Sequence, residues 1–198
     1  GYTQLLKRQS GLSEENRRFI DAISRSGDHL LSLINDVLDM AKIEAGRVDM
    51  NVGEVDLDDL LLDIERMFKL RANEKGLELR VLGAESLPSR IRVDDGKVRQ
   101  VLINLLGNAL KFTDTGNVTL SATYRKTVEG QGEIRMEISD TGCGIPGDQL
   151  ETIFNPFAQA KAAHERKGTG LGLTVSRQFA ELLGGSLLVA STPDEGSS

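Results

Sequence analysis

Asn104, Asn108 and Lys111 stand four and three residues apart, a spacing that puts all three on one face of a helix. Two amide oxygens and one ammonium on a shared face suit a magnesium–phosphate complex, because magnesium takes hard oxygen ligands, few of them from protein. The same spacing also fits an ordinary solvated polar face. Asparagine is a poor helix former, so two of them in mid-helix ask for a reason. Two glycine-rich loops lie downstream. Asp140-Thr141-Gly142-Cys143-Gly144-Ile145-Pro146-Gly147 follows a strand-like run and matches G-x-G-x-x-G. A dinucleotide-binding reading fails, since Pro146 interrupts the motif and no βαβ unit surrounds it. Gly168-Thr169-Gly170-Leu171-Gly172-Leu173 opens a long helical run. There, backbone N–H groups free of side chains, together with the positive end of a helix, suit phosphate, although a tight structural turn fits the pattern too. No G-x-x-x-x-G-K-[ST] sequence occurs, which excludes a P-loop protein.

The elements that must position these groups follow from periodicity. Residues 13–45 read as one long helix, about 50 Å at 1.5 Å per residue, with Ser13 as N-cap and Gly46 as stop. Ile20, Ile23, Leu30, Ile34, Val37 and Ala41, widened by Leu31 and Leu38, form a seam with coiled-coil spacing. Such a rod either bridges solvent or, the favoured reading, buries its seam against another helix: the short piece at residues 2–9 or a second subunit. Residues 57–73 form an amphipathic helix, 77–82 and 90–93 short strands. Asp94 or Asp95 caps a helix through Val98, Val101, Leu102, Leu105, Ala109 and Phe112. Residues 117–126 and 133–139 alternate as two strands around a turn at 129–132. A short helix is expected near 149–153, a polar mobile connection at 158–167, a helix at 169–183 and a last strand at 186–191.

Composition removes several classes. The 198 residues carry 24 Lys+Arg against 30 Asp+Glu, a net charge of −6, which is wrong for a non-specific nucleic-acid binder. No apolar run approaches a membrane span and no signal peptide is visible, so no membrane contact is expected. The lone Cys143 excludes a disulfide framework and a cysteine-rich zinc site and fits a reducing compartment; two histidines, His29 and His164, argue against a histidine metal centre.

The order Asn104-x3-Asn108, Asp140-x-Gly142-x-Gly144, Phe154-Asn155-Pro156-Phe157, Gly168-x-Gly170-x-Gly172 resembles the ATP-binding domain of sensor histidine kinases, within the superfamily of gyrase, mismatch-repair ATPases and heat-shock chaperones. The stretch from Arg99 to Thr113 is similar to that of the kinases in particular. The stretch from Leu30 to Asp39, followed by Lys42-Ile43-Glu44-Ala45-Gly46, resembles the second helix of their dimerisation and phosphotransfer hairpin. The resemblance covers essentially the whole chain.

It implies an α+β fold: a two-layer α/β sandwich, a mixed sheet with three helices on one face and a Bergerat-type ATP site, preceded by a long helix. Residues 1–46 would be a truncated hairpin and 47–198 the ATP-binding domain, its last strand cut. Asn108 would ligate Mg2+, with Asn104 beside it and Lys111 reaching phosphate. Asp140 would accept from the adenine amino group, with Phe112, Gly142 and Gly144 around the base. Gly168, Thr169, Gly170, Leu171 and Gly172 would bind phosphate. Phe154 and Phe157 would pack the base of a lid at 158–167, or simply belong to the core. The implied activity is transfer of the ATP γ-phosphoryl to a histidine and onward to an aspartate of a response-regulator receiver domain, by a homodimer joined through the hairpin. The expected location is the cytoplasm, with membrane anchoring of the parent left open. Departures from the pattern matter. The phosphoacceptor histidine of the family falls before Gly1, His29 lies off the apolar seam, His164 lies in the lid, and Lys167 replaces a usual glycine. Autophosphorylation by the 198 residues alone is therefore not expected. Two rivals remain: a binding or dimerisation module without turnover, and a hydrolytic ATPase. Against the second, the superfamily's hydrolases carry a glutamate base where this chain has Asn104, and an amide cannot take a proton from water.

Overall fold

The computed structural model describes residues 6, 12–83, 87–126, 132–158 and 168–198. The chain divides into two compact units, Gly1–Val48 and Asp49–Ser198.

The first unit carries α1, Glu14–Glu44. Ser13 caps it by accepting from the Asn16 amide at 3.2 Å, and Glu14 and Glu15 sit at the positive helix end. Ile20 is buried, but Ile23, Leu30, Leu31, Ile34, Val37 and Leu38 are exposed, so most of the apolar seam has no cover from the described residues. The expected helical piece at 2–9 lies outside the described residues apart from Leu6, as do the side chain of His29 and the whole of His164.

The second unit begins with β1, Gly53–Asp56, which pairs antiparallel with β3, Arg90–Val93, in a two-stranded ribbon. Sequence reading anticipated β3 but not β1, whose four residues show too little alternation to reveal a strand. Between them lie α2, Leu57–Glu74, and β2, Glu78–Leu82. Then come α3, Asp95–Phe112, β4, Asn117–Lys126, and β5, Gly132–Asp140. After two 3-10 turns, Gly147–Gln149 and Thr152–Phe154, the chain forms α4, Gly172–Leu182, β6, Ser191–Thr192, and β7, Gly196–Ser197.

The five-stranded sheet has the order β2-β4-β5-β7-β6. β2 runs parallel to β4 with Leu79 opposite Val118, and β4 pairs antiparallel with β5 from Val118↔Asp140 to Lys126↔Gly132. Along β4 burial alternates, so Val118, Leu120 and Ala122 face inward. Against them pack Leu60, Leu61, Ile64 and Phe68 of α2 and Leu102, Leu106 and Leu110 of α3. Each such side chain contributes roughly 1.5–3 kcal/mol by leaving water. The result is the expected mixed sheet under a helical layer. No described helix is long and apolar enough to cross a membrane.

Three elements differ from expectation. The helix expected at 169–183 starts only at Gly172, because Gly170 holds φ +71, which a right-handed helix cannot contain. The helix expected near 149–153 resolves into two 3-10 turns, and Pro156 forces Asn155 into extended geometry at their end. The strand expected at 186–191 is absent apart from Ser191: Ala190 exchanges two backbone bonds with Ser198, but residues 186–189 make no ladder. Alternating residues become a strand only where a neighbour supplies hydrogen bonds.

Candidate functional site

α3 is built to present one polar face. Asp94 caps it, and Leu102, Leu106, Ala109 and Leu110 anchor its other side in the core. Asn104, Asn108 and Lys111 are each half-buried on the remaining face. The Asn104 amide donates to the Gly172 carbonyl and the Ser176 hydroxyl, both at 3.3 Å, so it joins α3 to the first turn of α4. One turn on, the Asn108 amide takes no hydrogen bond from the described residues and is available to a ligand. The Lys111 ammonium lies over the Phe112 ring, 4.7 Å from its centroid. It also stands 2.8 Å from the point a Cβ on Gly168 would occupy. Any side chain at Gly168 would displace it.

The second glycine loop folds back on Phe157. The Phe157 amide donates to the Gly170 carbonyl at 3.0 Å, and a Cβ on Gly170 would come within 2.7 Å of the Phe157 backbone. Positive φ and this close approach together make glycine obligatory there. Thr169 Oγ1 accepts from the Leu171 amide at 3.2 Å. Leu171 itself is fully buried, so its side chain serves the core and not a ligand. No side chain caps the first turn of α4, leaving its amides at the positive end of the helix for an anion. Thr174 Oγ1 donates to the Phe154 carbonyl at 2.8 Å, and Arg177 lies over the Phe154 ring, 5.2 Å from its centroid. The Phe157 backbone sits at φ +62 to meet Gly170, and the residue is 66% exposed, so it is not part of the core.

The third group closes the far end of α3. Asp140 ends β5 and accepts from the Gly142 amide at 2.8 Å. A Cβ on Gly142 would lie 2.6 Å from the Phe112 carbonyl, so the loop touches the end of α3 directly. Burial pushes the Asp140 carboxyl above the usual carboxylate range, against the opposing pull of the Gly142 amide, the Thr113 hydroxyl and the Ser197 amide. Cys143 is exposed, and its carbonyl accepts from Asp194 at 2.9 Å, docking the β6–β7 hairpin beside Gly144.

Three participants escaped sequence reading. Thr113 follows Phe112 directly but offers no pattern of its own. Ser176 receives Asn104 from 72 residues away. Lys75 donates to the Leu110 carbonyl at 2.6 Å and the Thr113 carbonyl at 3.4 Å, tying down the last turn of α3. Among the described residues no cluster of three or more His, Cys, Asp or Glu could hold a metal by itself.

Comparison with known proteins fits this arrangement. Residues 93–198 match the family model of histidine kinase-, DNA gyrase B- and HSP90-like ATPases, and residues 1–46 that of the His Kinase A (phospho-acceptor) domain. The autoinducer 2 sensor kinase/phosphatase LuxQ of Vibrio cholerae is 37% identical over 96% of this chain and 22% of its own length. The sensor protein GacS of Pseudomonas syringae is 37% identical over 100% of this chain and 22% of its own. The chain thus spans about a fifth of these relatives. Full-length ShkA, solved in complex with AMPPNP, superposes with a TM-score of 0.78 at 35% identity, over 99% of this chain and 40% of ShkA. With both family models matched in order and the ATPase-type fold built around their motifs, the chain belongs to the sensor histidine kinases and carries their catalytic core.

Proposed function

We propose that this chain binds ATP with Mg2+ and serves a longer sensor kinase by passing the γ-phosphoryl to a histidine, and from there to an aspartate of a response-regulator receiver domain. One observation carries the reading: Asp140, Asn108, Lys111 and the uncapped start of α4 are ranged along one helix, α3, through direct contacts at its middle and at its C-terminal end.

Asp140 takes the amino group of adenine, and the absence of a side chain at Gly142 lets the base approach the backbone. The α4 amides and the glycines at 168, 170 and 172 receive phosphate, with Lys111 and Thr169 at the loop entry. Asn108 is the protein ligand of Mg2+. The described residues fit that ion, because an available amide oxygen without a carboxylate cage suits a cation held mostly by phosphate and water. When bound, Mg2+ neutralises phosphate charge. The protein's own task is positioning and electrostatic stabilisation, which dominate phosphoryl transfer. Hydrolysis is disfavoured: Asn104 is an amide, and it is already bonded to Gly172 and Ser176.

The exposed seam of α1 is the surface for a second copy, and the receiving histidine is neither His29 nor His164. Labelled ATP offered to the 198 residues alone, and then with a separate acceptor hairpin, tests this. Acid-labile label is expected on the hairpin only. Inorganic phosphate release without labelled protein would instead establish a hydrolase. Acid-labile label lost on His29→Gln would make His29 the acceptor.

A further inference from the structure

The connection between α1 and the catalytic unit is held at both ends. On one side the helix is capped by its own chain: the Gly46 amide donates to Ile43 and the Arg47 amide to Lys42, each at 2.9 Å. On the other side the catalytic unit grips the chain from Asp49. Asp94 divides its carboxylate between two tasks. Oδ1 caps α3 through the Lys97 amide at 3.1 Å, while Oδ2 accepts from the Asn51 amide at 2.8 Å and the Lys97 ammonium at 2.7 Å. Lys97 then donates to the Asp49 carbonyl at 2.8 Å and rests 5.9 Å from the Phe179 ring centroid of α4. One residue, Val48, stands between the last helix-capping bond and the first bond to the catalytic unit.

Surface ion pairs at i,i+3 usually contribute little. This pair differs: the Asp94 and Lys97 side chains are only 6% and 13% exposed, and both spend donors or acceptors on linker backbone more than forty residues away. Helix capping alone would need neither the second carboxylate oxygen nor the ammonium.

We propose that Asp94 and Lys97 form a linker clamp, positioning residues that set the reach of the catalytic unit for phosphoryl transfer by holding its tether to a single residue, Val48. The proposal rests on the kinase reading above. Releasing residues 49–51 would add three residues of slack, up to about 10 Å of extended chain. Going from one residue to four lowers effective concentration on the order of eightfold if it falls as the −3/2 power of tether length.

The test uses the parent kinase with its acceptor histidine on the same polypeptide. Lys97→Met should speed hydrogen exchange at the Asn51 amide at least tenfold and leave Mg-ADP affinity unchanged within twofold. It should lower transfer to the tethered histidine on the order of eightfold, with no change in transfer to an acceptor hairpin supplied as a separate molecule. Lys97→Arg should restore both exchange protection and rate. A Gly-Ser-Gly insertion between Val48 and Asp49, with the clamp intact, should give the same tethered loss without faster exchange at Asn51, and it keeps the idea testable if Lys97→Met folds poorly. Unchanged exchange at Asn51, a harmless insertion, or an equal loss in the tethered and separate assays would each overturn the clamp. Failure of the unaltered parent to label any histidine would overturn the kinase reading, and the clamp's role in transfer with it.

Discussion

Asp140, proposed above to hold the adenine amino group, carries a cost to the fold. Its carboxyl is held above the ordinary carboxylate range because burial disfavours the charge, and the Gly142 amide, the Thr113 hydroxyl and the Ser197 amide only partly compensate. The native state therefore binds the proton more tightly than the unfolded chain does. The cost of the buried charge is absent below the unfolded pKa and accrues as pH rises through the native one. Asp140→Asn should therefore leave the thermal stability of the free protein unchanged or slightly higher at pH 7. At the same time it should weaken adenine nucleotide binding by roughly 1–3 kcal/mol, about 5- to 150-fold, and erase preference over GTP. Calorimetry with both nucleotides decides it, and equal affinities in the unaltered protein would remove Asp140 from the base site. Nucleotide affinity of the unaltered protein should also fall on acidification, starting above the usual carboxylate range. Asn108→Ala is the companion change. Its amide makes no bond within the described protein, so the melting temperature without ligand should hold while the rise produced by Mg-ATP shrinks. An undiminished rise would make Asn108 a plain surface residue.

At the scale of elements, α3 is the part on which the others depend. Its apolar face sits on β4 and α2, its start is capped by Asp94, and its end is fastened by Lys75, the residue just past the end of α2. A lysine at the negative end of a helix satisfies carbonyls that would otherwise lack partners. Lys75→Met should cost about 0.5–1 kcal/mol of stability. Because Thr113 and Phe112 border Asp140 and Gly142, it should weaken ADP binding as well. Thermal melts with and without ADP separate the two effects; a pure stability loss with intact ADP affinity would confine Lys75 to structure. α4 answers to a different constraint. Its loop can reach the Phe157 backbone only with glycine at 170, and Gly170→Ala should lose that contact and weaken phosphate binding.

For the whole molecule, the exposed seam of α1 carries the expectation. Ile23, Leu30, Leu31, Ile34, Val37 and Leu38 repeat at the spacing of a helix packed on another helix, yet they lie exposed. Ile34→Glu should shift the protein toward monomer in sedimentation velocity at micromolar concentration and leave ADP affinity unchanged, because every residue of the proposed nucleotide site belongs to the second unit. Full retention of the dimer would show that another surface joins the copies.

The sequence by itself determined the elements with strong periodicity and the residues bound to short motifs. α1, α2, α3, β4 and β5 were legible because one face of each is apolar at a fixed period, and that period belongs to the local chain. Asn104 and Asn108 became candidates because their type and spacing suit a magnesium–phosphate complex, the glycines at 168, 170 and 172 because such a loop suits phosphate, and Asp140 because the order of the motifs resembles a known family. Tertiary structure decided what depends on partners distant in sequence. β1 is a strand only because β3 lies beside it, and residues 186–189 are not one because no ladder forms there. Asn104 faces α4 as well as the site because Ser176 and the Gly172 carbonyl come to it. Phe157 is exposed because its backbone turns to meet Gly170. Lys75, Thr113 and the Asp94–Lys97 clamp bridge segments tens of residues apart. Hydrogen bonds of that kind have no period and no motif, so only the folded chain reveals them.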